Sequence, residues 1–458
     1  MDYSAANQNL WNFIIQMGII AGSLLCANVL VRKSRLIRAS LMPTSVLAGF
    51  LLLILKSVGI LKLPADFLEM ITYHGIAIGF IALSLQASSG RNNAQNRRRG
   101  LQSGAVIIST YLVQAVVGLL LSLILGATLL PHLFKASGIL LPMAFGQGPG
   151  QANNVGLSYE ALGFVGGQSF GLSLAAAGYL CACLVGVAYL NYLTRHGALS
   201  KSEQAPLSGS VTVETYVDQE ELPISKSVDR LSIQVALVLL AYLLTYLVTF
   251  GFTSLIARFA PGAARTISPL LWGFNFIIGS MLAMLIKGIM HLLRKTKMMS
   301  RQYQNNYLLS RISGMAFDLM IVAGIASIDF ADLSGLWAPF LLMAVLGGVS
   351  TFFYLRWLCA RVYPEYKEEG FLAMFGMLTG TISSGILLLR TVDPNFETPA
   401  ANNLVIGSSF GIVLGSPMLV FIALAAESNL MLFLVVALCL LYLAGLLWLL
   451  LHRRNKRS

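Results

Sequence analysis

Residues Leu140 to Tyr159 read LLPMAFGQGPGQANNVGLSY. Apolar runs flank the stretch on both sides and place it at membrane depth, but Gly146, Gly148, Gly150 and Gly156, with proline and a run of amides, interrupt any apolar helix through it. Irregular backbone inside a bilayer persists only where it is buried in protein or lines an aqueous cavity, because lipid cannot satisfy the freed amide and carbonyl groups. The stretch therefore reads as a re-entrant hairpin over residues 138–158, with a polar surface loop as the competing reading. Phe371 to Ile386, FLAMFGMLTGTISSGI, is broken at the corresponding place in the second half, which gives a second hairpin over residues 370–392. Paired interrupted segments are the sequence mark of a transporter's substrate site.

The chain of 458 residues is 57% hydrophobic and only 11% charged, against about 25% charged for a soluble domain. It is expected to be an all-α polytopic membrane protein. No small-residue cleavage pattern follows the first apolar run, which reads as a retained helix. The five cysteines (Cys26, Cys181, Cys183, Cys359 and Cys439) lie in or at the ends of apolar segments without metal-ligand spacing, and so read as packing thiols.

Runs long enough to span lie near Leu10–Val31, Met42–Ile60, Leu68–Gln86, Gly104–Leu130 and Gln168–Leu193. They recur near Leu231–Phe252, Ile267–Leu293, Leu308–Phe330, Leu333–Leu358 and Asn402–Ala426. In each half the broken stretch falls between the fourth and fifth span. An odd number of spans per half sends the second half into the membrane the other way up, so residues 1–193 and 230–427 are expected to form two inverted repeats of five transmembrane helices. A polar segment over 194–229 reads as a cytoplasmic linker. Leu430–Leu451, within 428–458, reads as an extra transmembrane helix followed by a basic tail.

Charge tests this topology. With the amino terminus outside and the carboxyl terminus in the cytoplasm, 24 of the 31 basic residues fall in cytoplasmic loops, including Arg32 to Arg38, Arg97 to Arg99, Arg294 to Arg301 and Arg356 to Lys367. Only Lys56, Lys62, Lys135, Arg258 and Arg265 fall on or near the outer side, with Lys287 and Arg390 left over, and this 24 to 5 split is the positive-inside rule. The formal charge of +12 thus needs no nucleic-acid partner. The plasma (inner) membrane is the expected location, with membrane lipid as surroundings.

Ten core helices in two inverted halves, a glycine-rich re-entrant loop before the fifth helix of each half, and PTSVLAG (Pro43 to Gly49) opening the second helix resemble the sodium/glutamate symporter family. The resemblance covers nearly the whole chain in architecture. It implies a secondary active transporter that moves glutamate or a related small anion with sodium, its two re-entrant loops meeting near the bilayer midplane.

Candidate residues follow from the two breaks. Gln147, Gly148, Gly150, Gln151, Asn153 and Asn154 offer amides and exposed backbone suited to a carboxylate at a half-helix start or to a sodium ion, or else they serve the hairpin's own freed groups. Thr379, Thr381, Ser383 and Ser384 offer hydroxyls, and Arg390 either grips a substrate carboxylate, pairs with Asp393 or snorkels. Asp318 lies mid-span in FDLMIVAGIAS, where a carboxylate is costly unless it meets a cavity, an ion or a partner. It is the expected sodium ligand or protonation site. The two hairpin tips are expected close together, with Asp318 in reach of the same cavity.

Enzymatic motifs are missing: the sequence has no His-Glu-x-x-His, P-loop or Gly-x-Ser-x-Gly, and its five histidines are scattered. The chain is expected not to be an enzyme. A proton-coupled organic-anion carrier and a membrane-embedded ligand sensor without transport remain as alternatives. A homodimer is expected, to hold a scaffold still.

Overall fold

The computed structural model describes residues 7–86, 94–196, 228–299, 303–394 and 396–452. All regular structure among these residues is helical. Among the described residues, nine helices are long and apolar enough to cross a membrane, and a tenth qualifies if one bent helix counts as a single span. The protein is therefore an all-α, multi-pass membrane protein.

The chain opens with α1 (Gln8–Lys33), the short α2 (Arg35–Ala39) and α3 (Thr44–Ser57). Pro43 precedes α3 and Gly59, at φ +79°, follows it. These two breakers hold α3 to 14 residues, about 21 Å at 1.5 Å per residue, so the expected span Met42–Ile60 is shorter than the sequence suggests. Then come α4 (Ala65–Leu85), α5 (Ala94–Ala127), α6 (Pro149–Glu160) and α7 (Gly167–Arg195). The expected linker lies outside the described residues over 197–227, as does the basic tail from 453 onward.

The second half runs through α8 (Val228–Phe259), α9 (Pro261–Gly273), α10 (Asn275–Lys295), α11 (Asn306–Ser327) and α12 (Trp337–Val362). The expected single span Ile267–Leu293 is broken at Phe274 into α9 and α10. The break is tolerated because the Tyr73 hydroxyl donates to the Trp272 carbonyl over 2.7 Å, replacing a lost helical bond. Next follow α13 (Lys367–Thr379), α14 (Ile382–Arg390), α15 (Ala400–Ala425) and α16 (Asn429–His452). α15 bends by 46° between Ser408 and Phe410. There the Ser408 hydroxyl bonds back to the Leu404 carbonyl at 2.6 Å, and such back-bonding loosens the helical ladder. α16 packs on α15, and the Tyr442 hydroxyl donates to the Leu414 carbonyl over 2.7 Å.

Contacts divide the chain into two compact units, and each unit draws on both halves of the sequence. The larger holds Met1–Thr72, Arg98–Ala205 and Ile321–Ser458, and the smaller Tyr73–Arg97 and Pro206–Met320. The boundaries fall inside α4 and α11. In the smaller unit, Ile81, Ala82, Leu85, Val238, Ala241, Ala283 and Leu309 form a buried cluster. There the His74 Nδ1 meets the Tyr242 hydroxyl at 2.6 Å, and the Asn275 amide reaches the same hydroxyl at 3.4 Å. Asn275 therefore ties α10 to α8, as a polar side chain in an apolar span can. In the larger unit, small residues let backbones approach where lipid supplies no hydrophobic drive for helix association. A methyl group on Gly376 would stand 2.8 Å from Gly385 Cα, so α13 and α14 fold back tightly on one another.

Candidate functional site

Both interrupted stretches take the form of arm, break and helix, and both lie in the larger unit. In the first, a 3-10 turn over Lys135–Ile139 leads into a wider turn over Pro142–Gly146. Gly148 then adopts φ +84° and ψ −173°, a conformation essentially reserved for glycine. Pro149 restarts the chain as the first residue of α6, where its missing N–H costs nothing. In the second stretch, the Thr379 hydroxyl donates to the Phe375 carbonyl over 2.7 Å and closes the last turn of α13. Gly380 and the extended Thr381 make the break, and α14 starts at Ile382.

The two breaks meet. A methyl group built on Gly148 would stand 3.5 Å from Thr381 Cγ2 and 3.7 Å from both the Gly380 carbonyl oxygen and the Tyr179 hydroxyl. Gly178 on α7 lies directly against the Thr379 carbonyl, an approach that a Cβ would block. Helix α5 supports both broken ends from residues one turn apart. The Tyr111 hydroxyl donates to the Gly146 carbonyl at 2.9 Å, and the Gln114 amide donates to the Leu378 carbonyl and the Thr351 hydroxyl, each at 2.9 Å.

Two features at this meeting point favour a ligand. α6 and α14 both begin here, and neither Gly148 nor Thr381 caps its helix through a side chain. The leading N–H groups of a helix have no intrahelical partner and carry about half a positive charge in sum. Both helices therefore turn donors and positive potential toward the breaks. In addition, several buried polar atoms on the two stretches and on α5 have no hydrogen-bond partner: both amide atoms of Gln151, Gln114 Oε1, Thr381 Oγ1 and Ser384 Oγ. Each such atom costs about 1–3 kcal/mol when left unsatisfied. Native proteins keep such groups few, and those retained call for an explanation such as a ligand or water.

The remaining sequence candidates divide clearly. Asn153 is fully buried, and its carbonyl oxygen accepts from the Gln168 amide at 2.9 Å while its own amide reaches Asn154 at 3.3 Å. Asn153 thus ties α6 to α7 through Gln168. Gln147 is half-buried, its amide 3.6 Å from the Met143 sulfur. Gly150 is buried in the first turn of α6 and Ser383 is exposed on α14. Arg390 stands at the far end of α14, about 12 Å along the helix from its start at 1.5 Å per residue, its guanidinium 5.3 Å from the Phe396 ring. Asp393 is buried and accepts from the Thr398 hydroxyl and from the backbone N–H groups of Glu397 and Thr398. That carboxylate organises the turn into α15. Asp318 belongs to the smaller unit and is exposed partway along α11. Among the described residues no three His, Cys, Asp or Glu side chains gather as a metal site.

Tyr111, Gln114 and Tyr179 escape a reading based on the breaks alone. Their signal is nevertheless present, because Gln114 is a lone amide in the apolar run YLVQAVVG, and a polar side chain inside a span asks for a partner.

No protein-family model, curated protein or solved structure matches the chain.

Proposed function

We propose that the protein is a secondary active transporter that carries glutamate or a related small organic anion together with sodium. In this reading the two arm-break-helix segments are re-entrant hairpins of two inverted repeats, entering the membrane from opposite faces. The meeting of Gly148 with Thr381, at the uncapped starts of α6 and α14, carries the proposal.

The chemistry fits an anion bound with a cation. Two helix starts supply roughly one unit of positive charge between them, which suits a carboxylate. The partnerless oxygens of Gln114, Gln151, Thr381 and Ser384 are neutral donors of the kind a sodium ion takes up as co-substrate. The buried amide of Gln151 supplies N–H donors to the anion as well. Arg390, at the opposite end of α14, is positioned to balance the negative end of that helix. Asp318 keeps the role of a coupling-ion residue that its depth in α11 suggests.

Uptake into sealed proteoliposomes decides the matter. An inward sodium gradient is expected to drive accumulation of acidic amino acids or dicarboxylates. Failure of every such anion to accumulate would remove the proposal, and accumulation driven by a pH gradient without sodium would move it to a proton-coupled carrier.

A further inference from the structure

Away from the two breaks, the end of α12 and the start of α13 enclose a cavity of about 320 Å³, whose walls include Phe353, Arg356, Trp357, Lys367, Glu368 and Phe371. We propose that this cavity holds the phosphate headgroup of an anionic membrane phospholipid, with an acyl chain lying along α12. The inference rests on the membrane-spanning character of the protein and is independent of transport.

Depth comes first. α12 has 26 residues, about 39 Å at 1.5 Å per residue, against a hydrocarbon core of about 30 Å. Its ends therefore reach headgroup level. Arg356 lies six residues from the carboxyl end of the helix, and Tyr354 and Trp357 beside it are the residue types that collect at the membrane interface.

Charge comes next. Arg356 pairs with Glu368 at 3.2 Å, and the Tyr189 hydroxyl donates to the same carboxylate oxygen over 2.7 Å. The guanidinium also stands 5.0 Å from the Tyr189 ring. One carboxylate is thus already engaged, while exposed Lys367 adds a second cation to the wall. Arg361, 4.5 Å from the Trp357 ring, lies outside the wall. Glu365 and Glu369, the other nearby carboxylates along the chain, are not part of the cavity wall. The balance at the cavity is positive, which matches a phosphate.

Shape supplies the rest. Val345, Val349 and Phe353 recur every four residues and are exposed at 61%, 48% and 66%. Residues at that spacing form one stripe along a helix, and this stripe runs from mid-membrane into the cavity. A soluble anion has no use for it, whereas an acyl chain attached to a bound headgroup lies along it.

Thermal unfolding of the delipidated full-length protein in detergent tests the assignment, with phosphatidylglycerol, phosphatidylcholine or inorganic phosphate added. Phosphatidylglycerol is expected to raise the midpoint in a saturable way, and the other two are not. Lys367→Gln leaves the Arg356–Glu368 pair intact and is expected to weaken the apparent affinity for phosphatidylglycerol roughly five-fold, whereas Arg361→Gln, outside the wall, is expected to weaken it less. Equal stabilisation by phosphatidylcholine would reduce the effect to bulk solvation and overturn the proposal. So would full stabilisation by inorganic phosphate, which would mean a soluble-anion site, or unchanged phosphatidylglycerol affinity in the Lys367 variant. Transport activity enters none of these readouts, so a failure here leaves the transporter reading untouched, and the reverse also holds.

Discussion

The Gln114 side-chain amide donates to the Leu378 backbone carbonyl over 2.9 Å, across 264 positions of the chain. That carbonyl sits in the last turn of α13, where the broken helix no longer supplies a partner. The same amide also reaches Thr351, so one side chain on α5 joins α12 and α13 at the second break. Gln114→Leu would leave a buried carbonyl and a buried hydroxyl without their donor, at a cost of about 1–3 kcal/mol. A lowered thermal midpoint in detergent, accompanied by reduced uptake, is the expected outcome. An unchanged midpoint would mean that the break is held by other contacts.

Gly148 offers a sharper test of the meeting point. Its φ of +84° with ψ near 180° costs a residue bearing a Cβ about 1–3 kcal/mol, while the added methyl would meet Thr381 Cγ2 at an ordinary contact distance of 3.5 Å. Gly148→Ala is expected to lower stability by that amount and to abolish uptake, while Gly163→Ala serves as a control. Gly163 also has positive φ, but nothing lies near its Cβ position. Loss of uptake in the Gly148 variant alone would locate the sensitivity at the breaks and not in glycine strain generally.

The spans and both interruptions were legible because they are written in composition: long apolar runs, and glycine with amides where such runs stop. The break between α9 and α10 was not, since Ile267–Leu293 reads as one predominantly apolar run despite Asn275 and Lys287, and the Tyr73 hydroxyl that takes up the Trp272 carbonyl beside the break comes from a distant helix. Arg390 illustrates a second limit. A charge nine residues into a helix looks close to the break in sequence, but helical rise carries it about 12 Å away. For Asn153 and Gln151, two positions apart on α6, residue type alone does not tell a packing amide from a partnerless one. The difference lies in Gln168, which comes to Asn153 from α7.

Asp318 carries the coupling-ion prediction. Replacing it with Asn keeps the size and removes the charge. Uptake by Asp318→Asn is expected to need more sodium for half-maximal rate, with anion recognition partly retained. Sodium dependence identical to that of the parent protein would remove Asp318 from cation binding.

Glu160 closes α6 half-buried, and its folded-state pKa is raised mainly by burial, with the Gln168 N–H at 3.0 Å lowering it and Asp332 raising it further. A carboxyl with a raised folded pKa binds more protons in the native state than in the unfolded state between the two pKa values, so stability falls as pH rises through that window. Glu160→Gln, which can still accept from Gln168, is expected to unfold at higher temperature than the parent protein at neutral pH. The gap should narrow as pH falls below the folded pKa toward the ordinary carboxylate range. A gap that is independent of pH would show that the side-chain exchange acts through packing.

Gln151 separates binding from folding most cleanly. It is fully buried in the first turn of α6, and neither atom of its amide has a partner. A group retained at that cost, on a helix that begins at the meeting of the two breaks, is best explained by a ligand that completes its bonds. Gln151→Leu keeps most of the volume and removes both unsatisfied atoms, so the ligand-free protein is expected to be as stable as its parent or more stable by about 1 kcal/mol. Anion-dependent stabilisation and uptake should be lost in the same variant. Measuring the thermal midpoint with and without glutamate and sodium gives both readings in one experiment. A variant that loses stability without ligand, yet keeps the ligand-induced shift, would make Gln151 a packing residue and move the anion elsewhere along the two breaks.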